Sequence, residues 1–356
     1  MVVEKKKPKA KSSNKKIITG VLLALVLVGS IFGYKYYTTY FSKNTTQKVE
    51  DKTYLYIRTG ATYDDVLNSL REKDFLLSVD QFDKVARQRG YDEKIRPGKY
   101  HIKPGMSNLD LVRMLMGGKQ EPVKFTFNNI RLKKELAAKV GRNLEADSLR
   151  METILGDDGY WKKFGFTAEN CMVLFLPDTY EFWWNTDTDE FVDKMAKEYK
   201  KFWTDERKAK AKKIGLSQAD VSILAAIVEK ESNMRDERPT IAGVYMNRLN
   251  KGMKLQADPT VVFALGDFTV KRVLNADTRI DSPYNTYMYA GLPPGPICLP
   301  SKNSIDAVLN YKKHTYIYFC AKEDFSGYHN FATTYDEHLK NAAKFQKALN
   351  ERGISR

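Results

Sequence analysis

The run Ile17–Tyr34 (IITGVLLALVLVGSIFGY) has no charged side chain and is apolar almost throughout. Its length is near the minimum for crossing a hydrocarbon core of about 30 Å. Lys5, Lys6, Lys7, Lys9, Lys11, Lys15 and Lys16 precede it, against Glu4 alone, and Lys35, Tyr36, Tyr37 and Tyr40 follow. Lysines before and tyrosines after predict a single-pass anchor in the cytoplasmic membrane, N-terminus inside and everything from Lys35 outside. A cleavable signal peptide is the alternative. It would have a shorter core and a small-x-small site, whereas the residues after Ser30 are bulky and aromatic.

The rest of the chain has the length of two domains. With 42% hydrophobic and 29% charged residues, it can bury a core. The net charge of +15 lies partly in the N-terminal tail and is otherwise spread along the chain. Such a surface is either simply solvated or attracted to an acidic polymer or anionic membrane. No nucleic-acid motif is present, so nucleic acid is not an expected partner. Cys171, Cys298 and Cys320 are scattered, with no metal-ligand spacing, and no glycine-rich phosphate loop occurs. Neither a metal nor a cofactor is expected.

The expected fold class is α+β. The predicted order is a basic tail (1–16), the anchor (17–34), a polar linker (35–51), a small module (52–120) and a larger region (121–356). In the module, Tyr54–Ile57 reads as a strand and Gly60 as a turn. Thr62 caps a helix bearing Val66, Leu67 and Leu70 on one face. A second helix runs from Val79 to Arg89, and Tyr100–Ile102 is a second strand. This strand–helix–helix–strand layout resembles the carbohydrate-binding LysM module. YIRTGATYDDVLNSL is echoed by YHIKPGMSNLDLVRMLMGG: strand, glycine turn, hydroxyl cap, amphipathic helix.

In the larger region Val123–Phe127 reads as a strand, and helical periodicity covers 132–140 and 188–203. LFLPDTYEFWW (174–184) reads as a loop with short strands, its rings either packing a core or offering a face to sugars. Ser217 opens a helix, SQADVSILAAIVEKESNM, and Pro239 starts the next. QADPTVVFALG (256–266) reads as turn-rich, SPYNTYMYAGLPPGPICLP (282–300) as Pro- and Gly-rich loop. A helix at 304–309, a strand at 315–321 and a long helix at about 334–351 complete the pattern.

Glu231 is the residue that points to chemistry. At about 100° per residue, it shares an arc with Leu224, Ile227 and Val228, while Glu229 and Lys230 point away from its centre. A carboxyl on that stripe either reaches water at the helix end or sits in an apolar cleft. The cleft would hold it neutral, as a general acid requires. Gln256, Asp258 and Thr260 cluster nearby in sequence. The YNTY and GLPPGPI segments then supply hydroxyls, amides and rings suited to a polyhydroxyl substrate. His329 is placed in a glycine-rich turn after the TYIYF strand.

IVEKES (227–232), YMNRL (245–249), LQADPTV (255–261), YNTY (284–287), GLPPGPI (291–297) and His329-x-Phe331 occur in that order. LPDTY (176–180) and PGKYHI (97–102) accompany them. Together they resemble the MltG, or YceG-like, endolytic murein transglycosylases over nearly the whole chain after the anchor. One departure is Asn128-Asn129, where the family pattern often runs into a Glu-Gly turn. The resemblance implies cleavage of nascent peptidoglycan glycan strands at the MurNAc–GlcNAc bond, giving 1,6-anhydro ends. It makes Glu231 the catalytic acid/base. Ser232, Gln256, Asp258, Thr260, Tyr284, Asn285, Tyr287 and His329 would contact substrate, and cell-wall synthases would be neighbours. Two other readings stay open. One is a hydrolytic muramidase with Asp258 or Asp236 as second carboxylate; the other is a non-catalytic, glycan-binding scaffold for synthases.

Overall fold

A computed structural model describes residues 13–270 and 272–353; the tail lysines Lys5–Lys11 lie outside them. The chain forms a mixed α+β structure in two compact units. The first reaches Pro122 and includes Trp183–Asn185; the second comprises Val123–Phe182 and the chain from Thr186 onward.

The first unit begins with α1 (Ser13–Tyr40). Its apolar side chains from Ile17 to Phe32 are exposed. Among the described residues it is the one helix long and apolar enough to cross a membrane, which fits a single-pass anchor. The helix does not stop at Tyr34, and residues 35–51 are not a free linker. Thr39 and Tyr40 are buried, and the Asn108 amide donates to the Thr39 carbonyl at 2.8 Å. Tyr40 bonds Gln88. Asn44, also buried, donates to Ser78 O and accepts from Ser78 N, both at 2.9 Å. Lys43 and Thr45 bridge to Ser107 and Leu76. Polar residues that read as solvated chain are instead spent on a joint.

Next come β1 (Tyr54–Ile57), α2 (Tyr63–Glu72), α3 (Val79–Gln88), β2 (Gly98–His101) and α4 (Asn108–Met116). β1 and β2 pair antiparallel, Tyr54 opposite His101 and Ile57 opposite Gly98. The sequence echo is structural. Each strand is followed by a glycine at positive φ (Gly60, 79°; Gly105, 80°). Each turn then enters a reciprocal capping box, Thr62 with Asp65 and Ser107 with Asp110. The core between them is fully buried Leu55, Phe82, Val85, Tyr91, Tyr100 and Val112.

The second unit runs β3 (Val123–Phe127), α5 (Lys133–Asn143), α6 (Ser148–Leu155), α7 (Asp158–Lys162) and β4 (Asp178–Phe182). Then follow α8 (Thr188–Phe202), α9 (Asp205–Lys213), α10 (Gln218–Glu231), α11 (Arg238–Asn250), α12 (Asp258–Leu265) and α13 (Lys302–Leu309). β5 (Tyr318–Ala321), β6 (His329–Ala332) and α14 (Tyr335–Glu351) close it. β3 pairs with β4 and β5 with β6, both antiparallel. Asn129, after β3, takes φ 51°, the left-handed conformation a glycine would adopt there. Phe175, Tyr180 and Phe182 of the aromatic stretch are buried, and Tyr180 stacks on Phe127 at 5.5 Å, so these rings pack the core.

Helix α10 is the axis of this unit. Ser217 and Asp220 form its capping box, and every residue from Val221 to Val228 is buried. The apolar stripe read from sequence is therefore a whole circumference, as in a helix wrapped on all sides. Two further expectations change. The 256–266 segment is not turn-rich but carries α12, with Pro259 in its first turn, where proline's missing N–H costs nothing. His329 opens β6 instead of lying in a turn.

The GLPPGPI segment packs tightly. A Cβ on Gly295 would lie 2.1 Å from the Glu169 carbonyl oxygen and 2.9 Å from the Tyr284 hydroxyl. Gly295→Ala is expected to lower stability by about 1–3 kcal/mol, the range for overpacking. Calorimetry on the detergent-solubilised chain should show Tm falling by several degrees; unchanged melting would mean the loop yields freely.

Candidate active site

Glu231 is the last residue of α10, where the helix leaves the core, and Ser232 ends it in extended conformation. Its carboxyl lines a cavity of about 260 Å³ with Lys230, Arg131, Asp258, Phe263, Phe268 and Arg272. The buried Tyr245 hydroxyl, from α11, donates to Glu231 Oε1. Burial pushes the Glu231 carboxyl up to about 7. The Tyr245 hydrogen bond opposes this, the nearby Asp258 charge adds to it, and His329 and Arg248 pull the other way. Burial, together with the Glu231 charge, keeps the Tyr245 phenol far above its usual range. Tyr245 therefore remains a donor. With Oε1 so occupied, a proton on neutral Glu231 belongs on Oε2.

Two residues earlier, Glu229 has a different environment. Its Oε2 accepts from Ser301 N at 2.7 Å and from the Ser301 and Ser304 hydroxyls at 2.6 Å. Arg238 lies 3.8 Å away. Burial alone would raise this carboxyl, but those hydrogen bonds and the Arg238 charge outweigh it and hold it below the ordinary range. One helix end thus carries a carboxyl held ionised by its structural partners two residues from one held neutral at the cavity.

The remaining expected site residues divide by depth. Asp258, the first residue of α12, shares the cavity with Glu231 and accepts from the Tyr287 hydroxyl at 2.5 Å. His329 is held by the buried Glu237, whose Oε1 accepts from His329 N at 2.8 Å and Oε2 from Nδ1 at 2.7 Å. The Ser232 hydroxyl donates to the same Oε2 at 3.2 Å, so Ser232 braces this network from inside. Gln256 is exposed at φ 51° and accepts from Arg248 at 3.3 Å. Tyr284 is half-buried with its ring 4.7 Å from Phe263.

Thr260 and Asn285 are corrections, because both are fully buried. Thr260 meets the Thr286 hydroxyl at 2.8 Å, and the Asn285 amide donates to the Thr278 and Ile280 carbonyls at 3.0 and 2.8 Å. Thr260 ties α12 to the loop at Thr286, Asn285 closes that loop on itself, and neither lines the cavity. Asp236, the other carboxylate considered, is exposed and bonded by the Tyr328 hydroxyl at 3.0 Å. It does not line the cavity.

Sequence reasoning missed the cationic and aromatic walls: Arg131, Lys230, Arg272, Phe263 and Phe268. Arg131 sits 4.5 Å from the Phe268 ring centroid. It also missed Arg248, a buried cation donating to the Ile317 and Leu255 carbonyls at 2.7 and 2.8 Å, which ties α11 to the segment before Asp258. A helical wheel from Tyr245 would have found it, since the pair is spaced three apart on one helix face. Among the described residues no group of acidic, His or Cys side chains is arranged to hold a metal. Cys171 and Cys298 are buried free thiols whose burial pushes them up to about 12.

The family model described as YceG-like matches residues 55–344. A Bacillus subtilis protein named endolytic murein transglycosylase is 29% identical over 83% of this chain and 85% of its own length. A Streptococcus pneumoniae serotype 2 protein of the same name is 26% identical over 91% of this chain, which spans 64% of that protein. A crystal structure of a putative yceG-like protein from Listeria monocytogenes superposes with a TM-score of 0.54. It is 26% identical, covering 82% of this chain and 98% of that one.

Proposed function

The chain belongs to the YceG-like family, and on that premise we propose that it is an endolytic murein transglycosylase. It is a lyase that cuts the MurNAc–GlcNAc β-1,4 bond within nascent peptidoglycan strands, leaves 1,6-anhydroMurNAc ends and so ends strand elongation. The curated relatives bear that name. The observation that carries the reading is Glu231: a cavity-lining carboxyl that burial pushes up to about 7, with one oxygen held by Tyr245.

Neutral Glu231 gives its proton to the glycosidic oxygen as the C1–O bond breaks, and positive charge develops at C1 of MurNAc. The MurNAc 6-hydroxyl then attacks C1 and its proton passes to the Glu231 carboxylate. The acid is regenerated and no water is consumed. Tyr245 stabilises the carboxylate between the two transfers. Phe263 and Phe268, on the cavity wall, would offer faces to sugar rings, and Asp258, His329, Gln256, Tyr284 and Tyr287 are the proposed substrate contacts. Within the first unit, residues 52–120 serve as a LysM-like glycan-binding module ahead of a catalytic region (121–356). The anchor at 17–34 holds the chain in the cytoplasmic membrane, N-terminus inside, beside cell-wall synthases.

Mass spectrometry of peptidoglycan digested by the intact chain tests this: products should lack one water at the MurNAc end. Reducing ends alone would overturn the transglycosylase reading and favour hydrolysis, for which Asp258 on the same cavity is the available second carboxylate. The pH profile tests the acid. Because the protonated form acts, kcat/KM should fall about tenfold per unit above about 7. Asp258→Asn removes a like charge that raises Glu231, so its alkaline limb should move to lower pH. A limb that stays in place would remove Asp258 from the tuning of the acid.

A further inference from the structure

A larger cavity, of about 950 Å³, opens at the other end of α10. Ser217, Gln218 and Ala219 line it, and Glu231 lies thirteen residues beyond Gln218, about 20 Å along the helix axis. It shares no lining residue with the cavity at Glu231. Among the described residues its walls carry four lysines, Lys162, Lys163, Lys200 and Lys208, all exposed, and no acidic side chain. Lys163 rides over the Tyr160 and Phe164 rings, 4.3 and 4.8 Å from their centroids, which places its charge at the rim. Lys208 pairs with Asp205 at 3.2 Å.

The deep side of this cavity is aromatic. Tyr199 and Trp203 line it and are buried. Their ring centroids lie 6.1 Å apart, and neither the Tyr199 hydroxyl nor Trp203 Nε1 closes a hydrogen bond. A pocket with a cationic rim, ring walls and the Asn170 and Gln218 amides suits an extended organic anion with amide groups. Neutral sugar hydroxyls need no such excess of one charge.

We propose that this cavity is a second substrate site, taking the carboxylate-bearing stem peptide of the glycan strand being cut. The proposal rests on the transglycosylase reading. Binding energy gathered about 20 Å from Glu231 would hold a long strand across the molecule, favouring cuts within strands over cuts at their ends.

The test uses the intact chain in detergent micelles with Glu231→Gln, so that strands are bound and not consumed. Two probes are compared: soluble glycan strands with stem peptides, and the same strands stripped of peptides by an amidase. Peptide-bearing strands should bind about tenfold more tightly, with the difference shrinking as salt rises. The double charge reversal Lys162→Glu with Lys200→Glu, on exposed positions that leave the fold intact, should abolish that difference and leave stripped strands unaffected. Equal affinity for both probes would overturn the proposal. So would an equal loss for both in the double variant, which would make the cavity a general glycan site. Teichoic acid competing better than peptide-bearing strands would also overturn it, reassigning the cavity to a phosphate polymer. Cleavage by the wild-type chain is read separately. Peptide discrimination without anhydro products would sink the enzyme reading and leave the cavity standing; anhydro products without discrimination would do the reverse.

Discussion

Glu231→Gln is expected to give a folded chain that binds peptidoglycan and releases no anhydro-ended fragments. Loss of the general acid should lower kcat by about 10²–10⁴-fold, the usual worth of such a group. Gln keeps the volume and leaves an amide oxygen to accept from Tyr245, so the packing around α11 survives. Stability should not suffer. The folded-state carboxyl titrates near 7 and an unfolded one near 4.5, so the folded chain holds a proton the unfolded chain lacks. That advantage is complete below the unfolded value and is lost as pH rises through about 7. Gln removes this dependence, and at pH 8 the variant should melt no lower than wild type. Anhydro products at the wild-type rate would remove Glu231 from the mechanism; a large fall in Tm would make its role structural.

Glu229→Gln should behave in the opposite way, lowering stability and leaving the acid in place. The Glu229 carboxylate gathers three donors on one oxygen and faces Arg238, which is itself buried. The amide cannot replace the charge, and among the described residues Arg238 is left with neutral partners such as Ser232 O at 3.2 Å and the Ser304 hydroxyl at 2.8 Å. The cost should be about 3 kcal/mol. The pH signature also reverses. A carboxyl held below its usual range contributes stability above its unfolded value and loses it as pH falls through the folded one. Wild type should therefore lose stability in acid more steeply than Glu229→Gln. Matching acid-unfolding curves would show that Glu229 is not the anchor between α10 and Ser301.

The contrast between these carboxylates shows what was legible in sequence. Periodicity located both on one helix and set Glu231 apart. Capping residues such as Thr62, Ser107 and Ser217 marked helix starts that the structure reproduces. The wheel turns Glu229 away from the centre of the apolar arc and says nothing of what it meets there. In fact α10 is surrounded, and a position off the stripe meets another helix in place of water. α12 escaped notice because Gln, Asp, Pro and Thr at its start are turn formers, though a proline in the first helical turn is as much a start signal as a break. Thr260 and Asn285 looked like substrate contacts because polar groups cluster there. Their burial shows that the polarity satisfies loop carbonyls and hydroxyls, a distinction that depends on partners far away in the chain.

The joint between α1 and the first unit has a mechanical consequence. A polar tether of the kind first expected would behave as a slack rope, letting the module swing and absorbing any pull within its own coil. The observed joint is a bracket: helix to Tyr40, buried asparagine hydrogen bonds, and bridges at Lys43 and Thr45. In an anchored chain, a pull on the module would tilt the whole helix in the bilayer instead of unspooling a leash.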